Sequence, residues 1–284
     1  MISIRKAKAN PLALVGRVIV YVAVIVGAFA FALPFLWMVR TSVMSPAQVS
    51  RFPPEWIPEA WYWSNWARPF EVLDVGRYFR NTIVITVITL QGTLLSNLPV
   101  AYGFARLRFR GRQVLFVILL STMMLPSHVT LIPTYVLFSK LGWVDSYKPL
   151  TVPSFFGNAF FIFLLRQFFM TIPRELDDAA KIDGCGIFGI FWRIGLPLSK
   201  PALGIVTVMS FTSTWNDFFG PLIYLWQTKK FPIAVGLWSF MQRLTVERGP
   251  LMAATIVAVI PVLMLFFVAQ RHFIQGIVIT GVKG

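Results

Sequence analysis

An all-α polytopic membrane protein with six transmembrane helices is the fold class this sequence predicts, and three observations predict it. The first is solvation: 57% of the 284 residues are hydrophobic, 13% are charged and the mean hydropathy is +0.71, a balance too apolar for a soluble domain. The second is the placement of charge. Residues 18–39, 81–105 and 249–270 contain no Asp, Glu, Lys or Arg, residues 113–139 are interrupted only by His128, residues 149–165 by nothing, and residues 201–228 only by Asp217. The third is that a hydrocarbon core takes roughly 20 helical residues to cross. It offers backbone amides no water, so each span has to be a helix.

In order, the helices are expected at residues 18–39, 80–103, 114–136, 150–170, 202–224 and 251–271. Ala28 and Ala30 imitate a signal-peptide cleavage site, but the apolar run continues to Val39. It is longer than a signal core and reads as an anchor. The following stretch, residues 40–79, carries Trp56, Trp61, Trp63 and Trp66 among prolines, a pattern that could stack on sugar rings but reads better as an interfacial aromatic belt with fixed turns. Between the second and third helices, Arg106, Arg108, Arg110 and Arg112 are packed together without an acid. The positive-inside rule makes that short loop cytoplasmic. An even number of spans then puts both termini on the same side, in agreement with Arg5, Lys6, Lys8 and Arg17. The net charge of +15 therefore serves orientation and not nucleic-acid binding. Cys185 is the sole cysteine, which excludes an internal disulfide. No repeat or low-complexity tract divides the chain, so residues 1–284 read as one membrane domain.

Residues 171–201 form the largest cytoplasmic insertion. Within it, Gly184, Gly186 and Gly189 have the spacing of a dinucleotide-binding turn, which requires a strand before and an acid about 20 residues after. "PRELDDAAKID" precedes the glycines and the next acid is Asp217, inside a span. The passage reads better as two short helices about a glycine corner. Pro173 suits the first helical position, Glu175, Asp177 and Asp178 suit the positive helix start, and Lys181 suits its end. Leu176, Ala179, Ala180 and Asp183 share a face, small enough at the alanines for close approach. After the corner, Ile187, Ile190, Phe191 and Ile194 form an apolar face, which Leu196, Pro197 and Pro201 end. Three acids disfavour a helix lying on anionic lipid. A docking surface for a soluble partner fits.

"ELDDAAKIDGCGIFGIFWRIGLPLSKPAL" resembles the EAA loop of the permease subunits of bacterial binding-protein-dependent ABC importers. Asp178, Ala179, Ala180, Gly184, Ile194, Leu196 and Pro197 fall on that pattern in register, with Asp178 in place of the usual Glu and Cys185 in place of the usual Ala. "AYGFARLRFRGR", "TWNDFFGPLIYL" and "QRHFIQGIVITGVKG" resemble the carbohydrate-uptake branch, and specifically the maltose-type second permease subunit. The resemblance implies a second permease subunit, two copies of an ATPase subunit gripping the EAA loops, an extracytoplasmic solute-binding protein and a sugar or oligosaccharide as substrate. It implies alternating access, with ATP and Mg on the ATPase subunits and none in this chain. It also places ATPase coupling on Glu175, Asp178, Ala179, Ala180, Asp183, Gly184, Ile194, Leu196 and Pro197.

The sequence has no Walker A phosphate loop, no G-x-S-x-G and no H-E-x-x-H, and its only histidines are His128 and His272. No nucleotide site, hydrolase elbow or His-based zinc site is evident. His128 reads as a hydrogen-bonded structural residue. Asp217 is expensive inside a membrane helix, at about 2.5–3.5 kcal/mol on insertion scales. It is expected to face protein or water, lining a translocation path together with Asn216, or to satisfy a helix broken by Gly220 and Pro221. A secondary transporter or channel for a small polar solute is the alternative function. It would need coupling ionisable groups in the membrane, and only Asp217 and His128 are available.

Overall fold

The computed structural model describes residues 11–242 and 247–280. Every regular element among the described residues is helical, as the charge-free runs require. The chain divides into two compact units, Met1–Glu71 with Thr245–Ile256, and Val72–Leu244 with Val257–Gly284. Arg5, Lys6 and Lys8, on which the placement of the N-terminus partly rests, lie outside the described residues, as do residues 281–284 of the C-terminal motif.

The first unit begins with α1 (Pro11–Ser42), whose apolar window has none of its residues buried within the chain. Its end is fixed by Arg40, which is buried, lies 4.2 Å over the Trp37 ring and donates through Nε to the Glu55 carbonyl. A short turn, α2 (Pro46–Val49), is capped by the Ser45 hydroxyl, and Gln48 within it donates to Glu55 Oε2 at 2.6 Å and to the Ile57 carbonyl at 3.0 Å. At the start of α3 (Ser64–Leu73), Asn65 donates to the Met44 carbonyl at 2.9 Å. These bonds hold a loop that has little apolar burial of its own. Trp61 and Trp63 stack at 5.9 Å, and both stay exposed, in keeping with an aromatic belt.

The second unit is built on α4 (Val75–Arg106). Asp74 starts it with a positive φ of 51° and a carboxylate that accepts from the Arg77 amide. The single helix expected at 114–136 is instead a bent pair, α5 (Arg112–Ser121), extended by a 3-10 turn to Met124, and α6 (Ser127–Lys140), meeting at 99°. Pro126 is the cause. It forces Leu125 into an extended conformation, with ψ 115°, and cannot donate a helical hydrogen bond. The span expected at 150–170 is α7 (Lys148–Thr151), a 3-10 turn to Phe156, and α8 (Ala159–Thr171). Asn158 caps α8 by accepting from the Phe160 and Phe161 amides.

The insertion follows as α9 (Glu175–Ile182), α10 (Ile187–Ile190), a π-helical turn over Phe191–Gly195 and α11 (Leu196–Leu198). Next is α12 (Lys200–Trp215), and the helix expected to reach residue 224 stops here and restarts as α13 (Phe219–Tyr224). The chain ends in α14 (Ile233–Met241) and α15 (Arg248–Thr280), the latter contributing to both units. Among the described residues four helices are long and apolar enough to cross a membrane, and two bent pairs bring the number to six when each pair is one span.

α4, α8 and α12 pack around Ala101, Tyr102, Leu165, Phe169, Ala202 and Val206. The Tyr102 ring meets Phe169 and Phe191 edge-on at 5.4 and 5.0 Å. Gly195 permits this, since a Cβ there would lie 3.1 Å from the tyrosine ring. The loop after α6 is tied to the loop after α13 by Asp145, which accepts from the Trp226 and Gln227 amides at 3.0 and 3.2 Å and from Lys230 Nζ at 2.8 Å. The Lys230 ammonium, followed by the two amides, holds the Asp145 carboxyl down at about 2.

Candidate functional site

The acidic helix α9 forms where the sequence puts three acids at its start and Lys181 in its last turn, each charge matched to the helix dipole. It begins at Glu175, two residues after Pro173, so the proline precedes the helix and does not open it. Asp178 accepts from Lys181 Nζ at 2.8 Å. That bond, then the charges of Lys181, Arg174 and Arg108, lowers the Asp178 pKa.

Gly184 ends the helix with φ +81°. Its amide donates to the Lys181 carbonyl at 3.0 Å, and the Cys185 amide donates to the Ala180 carbonyl at 2.8 Å. This pair of bonds satisfies the carbonyls of the last turn, and its left-handed residue favours glycine. The corner is thus conformational: no atom lies within 4 Å of a Cβ built on Gly184. Gly186 has an ordinary extended backbone and Gly189 is helical, so the three glycines do not act as one turn.

The face of α9 turned to the protein is carried by Ala180, which is buried, and Asp177. Glu175, Leu176, Asp178, Ala179, Asp183 and Gly184 are exposed, so Leu176, Ala179 and Asp183 do not share the buried face with Ala180 as the spacing suggests. Asp177 meets Arg106 at 3.6 Å, and Arg106 also donates to the Ile172 carbonyl at 2.7 Å. The arginine read as a marker of membrane sidedness is therefore also the anchor of the insertion. The signal that could have found its partner is the i, i+3 spacing of Asp177 and Ala180, which puts both on one helical face.

Beyond the corner, Ile187 and Phe188 are exposed by 56% and 81%, while Ile190 and Phe191 turn inward. Ile194 and Leu196 are half-buried and Pro197 is exposed. The π turn has a sequence cause in Pro197, whose ring would clash with the Arg193 carbonyl in a regular helix. The register widens instead, with the Leu196 amide bonding the Phe191 carbonyl.

Asp217 and Asn216 are separated. Asp217 lines a cavity of about 490 Å³ with Thr82, Ile85, Leu150, Ser213, Thr214, Pro221 and Pro232, and its Oδ1 accepts from the Gly220 amide at 3.1 Å. Asn216 is exposed and its amide returns to the Thr212 carbonyl at 2.9 Å. Asp217 is thus both part of a cavity wall and an acceptor at the start of the restarted helix. His128 is exposed, its ring 6.5 Å from Phe219.

Residues 97–279, which include the acidic helix, its glycine corner and Asp217, match the family described as binding-protein-dependent transport system inner membrane component. The chain belongs to that family. The permease is 32% identical over 95% of its length to the probable ABC transporter permease protein YurM of Bacillus subtilis, covering 90% of that protein. It is 36% identical over 73% of its length to the arabinooligosaccharides transport system permease protein AraQ of the same organism, covering 74% of it. Among solved structures it is similar to a bacterial ABC transporter involved in the import of the acidic polysaccharide alginate. The TM-score is 0.84 and the identity 25%, over 94% of the permease and 100% of the matched chain. As a member of this family the permease is a membrane component, and ATP hydrolysis belongs to a separate subunit.

Proposed function

We propose that the chain, residues 1–284 acting as one transmembrane subunit, translocates a sugar or oligosaccharide inward across a bacterial inner membrane. It works with a second permease subunit, two ATPase subunits that hold ATP and Mg, and an extracytoplasmic solute-binding protein. Relatives described as permeases for arabinooligosaccharides, diacetylchitobiose and lactose support the substrate class. Both termini, the arginine loop 106–112 and the insertion 171–201 face the cytoplasm.

The observation that carries the coupling role is the exposed acidic helix, anchored at Asp177 and Ala180 and carrying apolar side chains around its far end. Glu175, Asp178, Ala179, Asp183 and Gly184 contact an ATPase subunit. Ala180 seats the helix, and Ile194, Leu196 and Pro197 relay its movement into α12. Closure of the ATPase dimer on ATP displaces the helix as a unit, and the spans turn between inward-open and outward-open arrangements. Asp217 lines the solute path and Asn216 stands at its edge.

Reconstitution of the complete complex in proteoliposomes tests this. Loaded binding protein should stimulate ATP hydrolysis and drive uptake of an oligosaccharide. Robust hydrolysis without uptake of any member of a broad oligosaccharide panel would sink the substrate class.

A further inference from the structure

The cavity that holds Asp217 adjoins a second of about 530 Å³, since Leu150, Ser213 and Thr214 line both. Each volume lies within the range of about 300–1,000 Å³ common for small-molecule sites. α4 contributes Thr82, Thr89 and Thr93 to the walls, and α12 contributes Ser210, Ser213 and Thr214. Most of these hydroxyls are already committed. Thr82 donates to the Tyr78 carbonyl and accepts from the Ile233 amide, both at 2.8 Å. Thr89 donates to the Leu150 carbonyl at 3.3 Å, and Ser210 donates to the Thr93 hydroxyl at 3.4 Å.

Ser213 and Thr214 differ from the rest. Neither hydroxyl is hydrogen-bonded to another described residue, and both line the two cavities, the first of which Asp217 also lines. Ser213 is exposed and Thr214 half-buried, so both hydroxyls are open to a solute that can donate and accept. The wall also has a charge bias. No Lys, Arg or His lines either cavity, so Asp217 is the sole charged side chain among the described lining residues.

We propose that Ser213, Thr214 and Asp217 form a solute subsite belonging to this permease itself, which takes a neutral polyhydroxylated ring and rejects a uronate. The proposal rests on the sugar reading given above. The carboxylate accepts from one ring hydroxyl while the serine and threonine each exchange a bond with its neighbours. A uronate carboxylate would meet Asp217 with no cation to offset the repulsion, and like charges brought together discriminate strongly against a ligand. The backbone likeness to an importer of acidic alginate then does not extend to substrate charge.

Equilibrium dialysis of the whole complex, trapped with ATP and vanadate and free of binding protein, tests this with neutral arabinotriose and with trigalacturonate. Arabinotriose should bind at least about ten-fold more tightly. Ser213→Ala with Thr214→Val should weaken it by about ten-fold, as expected for loss of two neutral hydrogen bonds. Asp217→Asn, whose amide oxygen still accepts from the Gly220 amide, should narrow the gap between the two sugars. Equal affinities in the wild type, or an unchanged gap in Asp217→Asn, would overturn the subsite while leaving the sugar reading intact. Binding of neither probe, combined with failure of the proteoliposome panel, would overturn both.

Discussion

Arg106 and Asp177 meet at 3.6 Å beneath the acidic helix, with only 5% and 14% of their side chains exposed. The pair joins the end of α4 to the first turn of α9, so the longest helix of the second unit and the acidic helix are linked by charge as well as by chain.

Breaking a buried pair by removing one partner strands the other charge, at a cost of about 3–5 kcal/mol. Arg106→Gln and Asp177→Asn should each loosen α9, seen as faster amide exchange over residues 175–185, and should reduce co-purification of the ATPase subunit. Arg106→Met combined with Asp177→Leu should restore much of the exchange protection. Unchanged exchange in both single variants would show that the pair does not seat the helix.

Gly184 should be the sensitive glycine of the corner. A β-branched side chain at φ +81° costs about 1–3 kcal/mol, so Gly184→Val should weaken ATPase retention or uncouple hydrolysis from uptake while membrane insertion persists. Gly184→Asn, which tolerates the left-handed conformation, should be close to wild type. Gly186→Ala and Gly189→Ala should be mild. Transport per ATP hydrolysed in vesicles is the measurement, and equal damage at all three glycines would contradict the corner assignment.

The loop clamp at Asp145 should resist acid. Its folded pKa, about 2, lies below the ordinary 3.8, so its contribution is full above about pH 4 and is lost as the pH falls through about 2. Exchange protection of residues 141–147 and 224–230 should be flat from neutral pH down to about 4 and decline below it. Asp145→Asn should lower that protection at neutral pH and remove its dependence on acid. A midpoint near pH 4 in the wild type would show that Lys230 does not hold the carboxylate.

Sidedness is tested by cysteine labelling in a Cys185→Ser background. Arg110→Cys should react with an impermeant thiol reagent only after the membrane is opened. Labelling of intact spheroplasts at position 110 would reverse the proposed orientation.

The helical class and the acidic helix were legible in the sequence because both depend on local pattern, namely charge-free runs in one case and end-charges with a left-handed glycine in the other. Gly184 even supplied the right corner for a reason of backbone shape. The breaks were harder to read. Pro126 stands at a 99° break between two helices, whereas Pro99 and Pro133 sit within helices. The pairing of Arg106 with Asp177, 71 positions apart in sequence, and the separation of Asp217 from Asn216 are tertiary outcomes. Local spacing puts Asp177 on the face of Ala180 but does not name Arg106 as its partner.

Ile182, Phe188 and Trp192 stand 87%, 81% and 60% exposed about the glycine corner, on a part of the chain too polar at its start to sink into lipid. Apolar side chains gathered on an open surface adhere to whatever meets them. The proposed function makes the ATPase subunit the cover for this surface. On the proposed docking role, a copy made in excess of its ATPase should keep this knuckle bare and turn over faster, which a pulse-chase with and without the ATPase subunit measures.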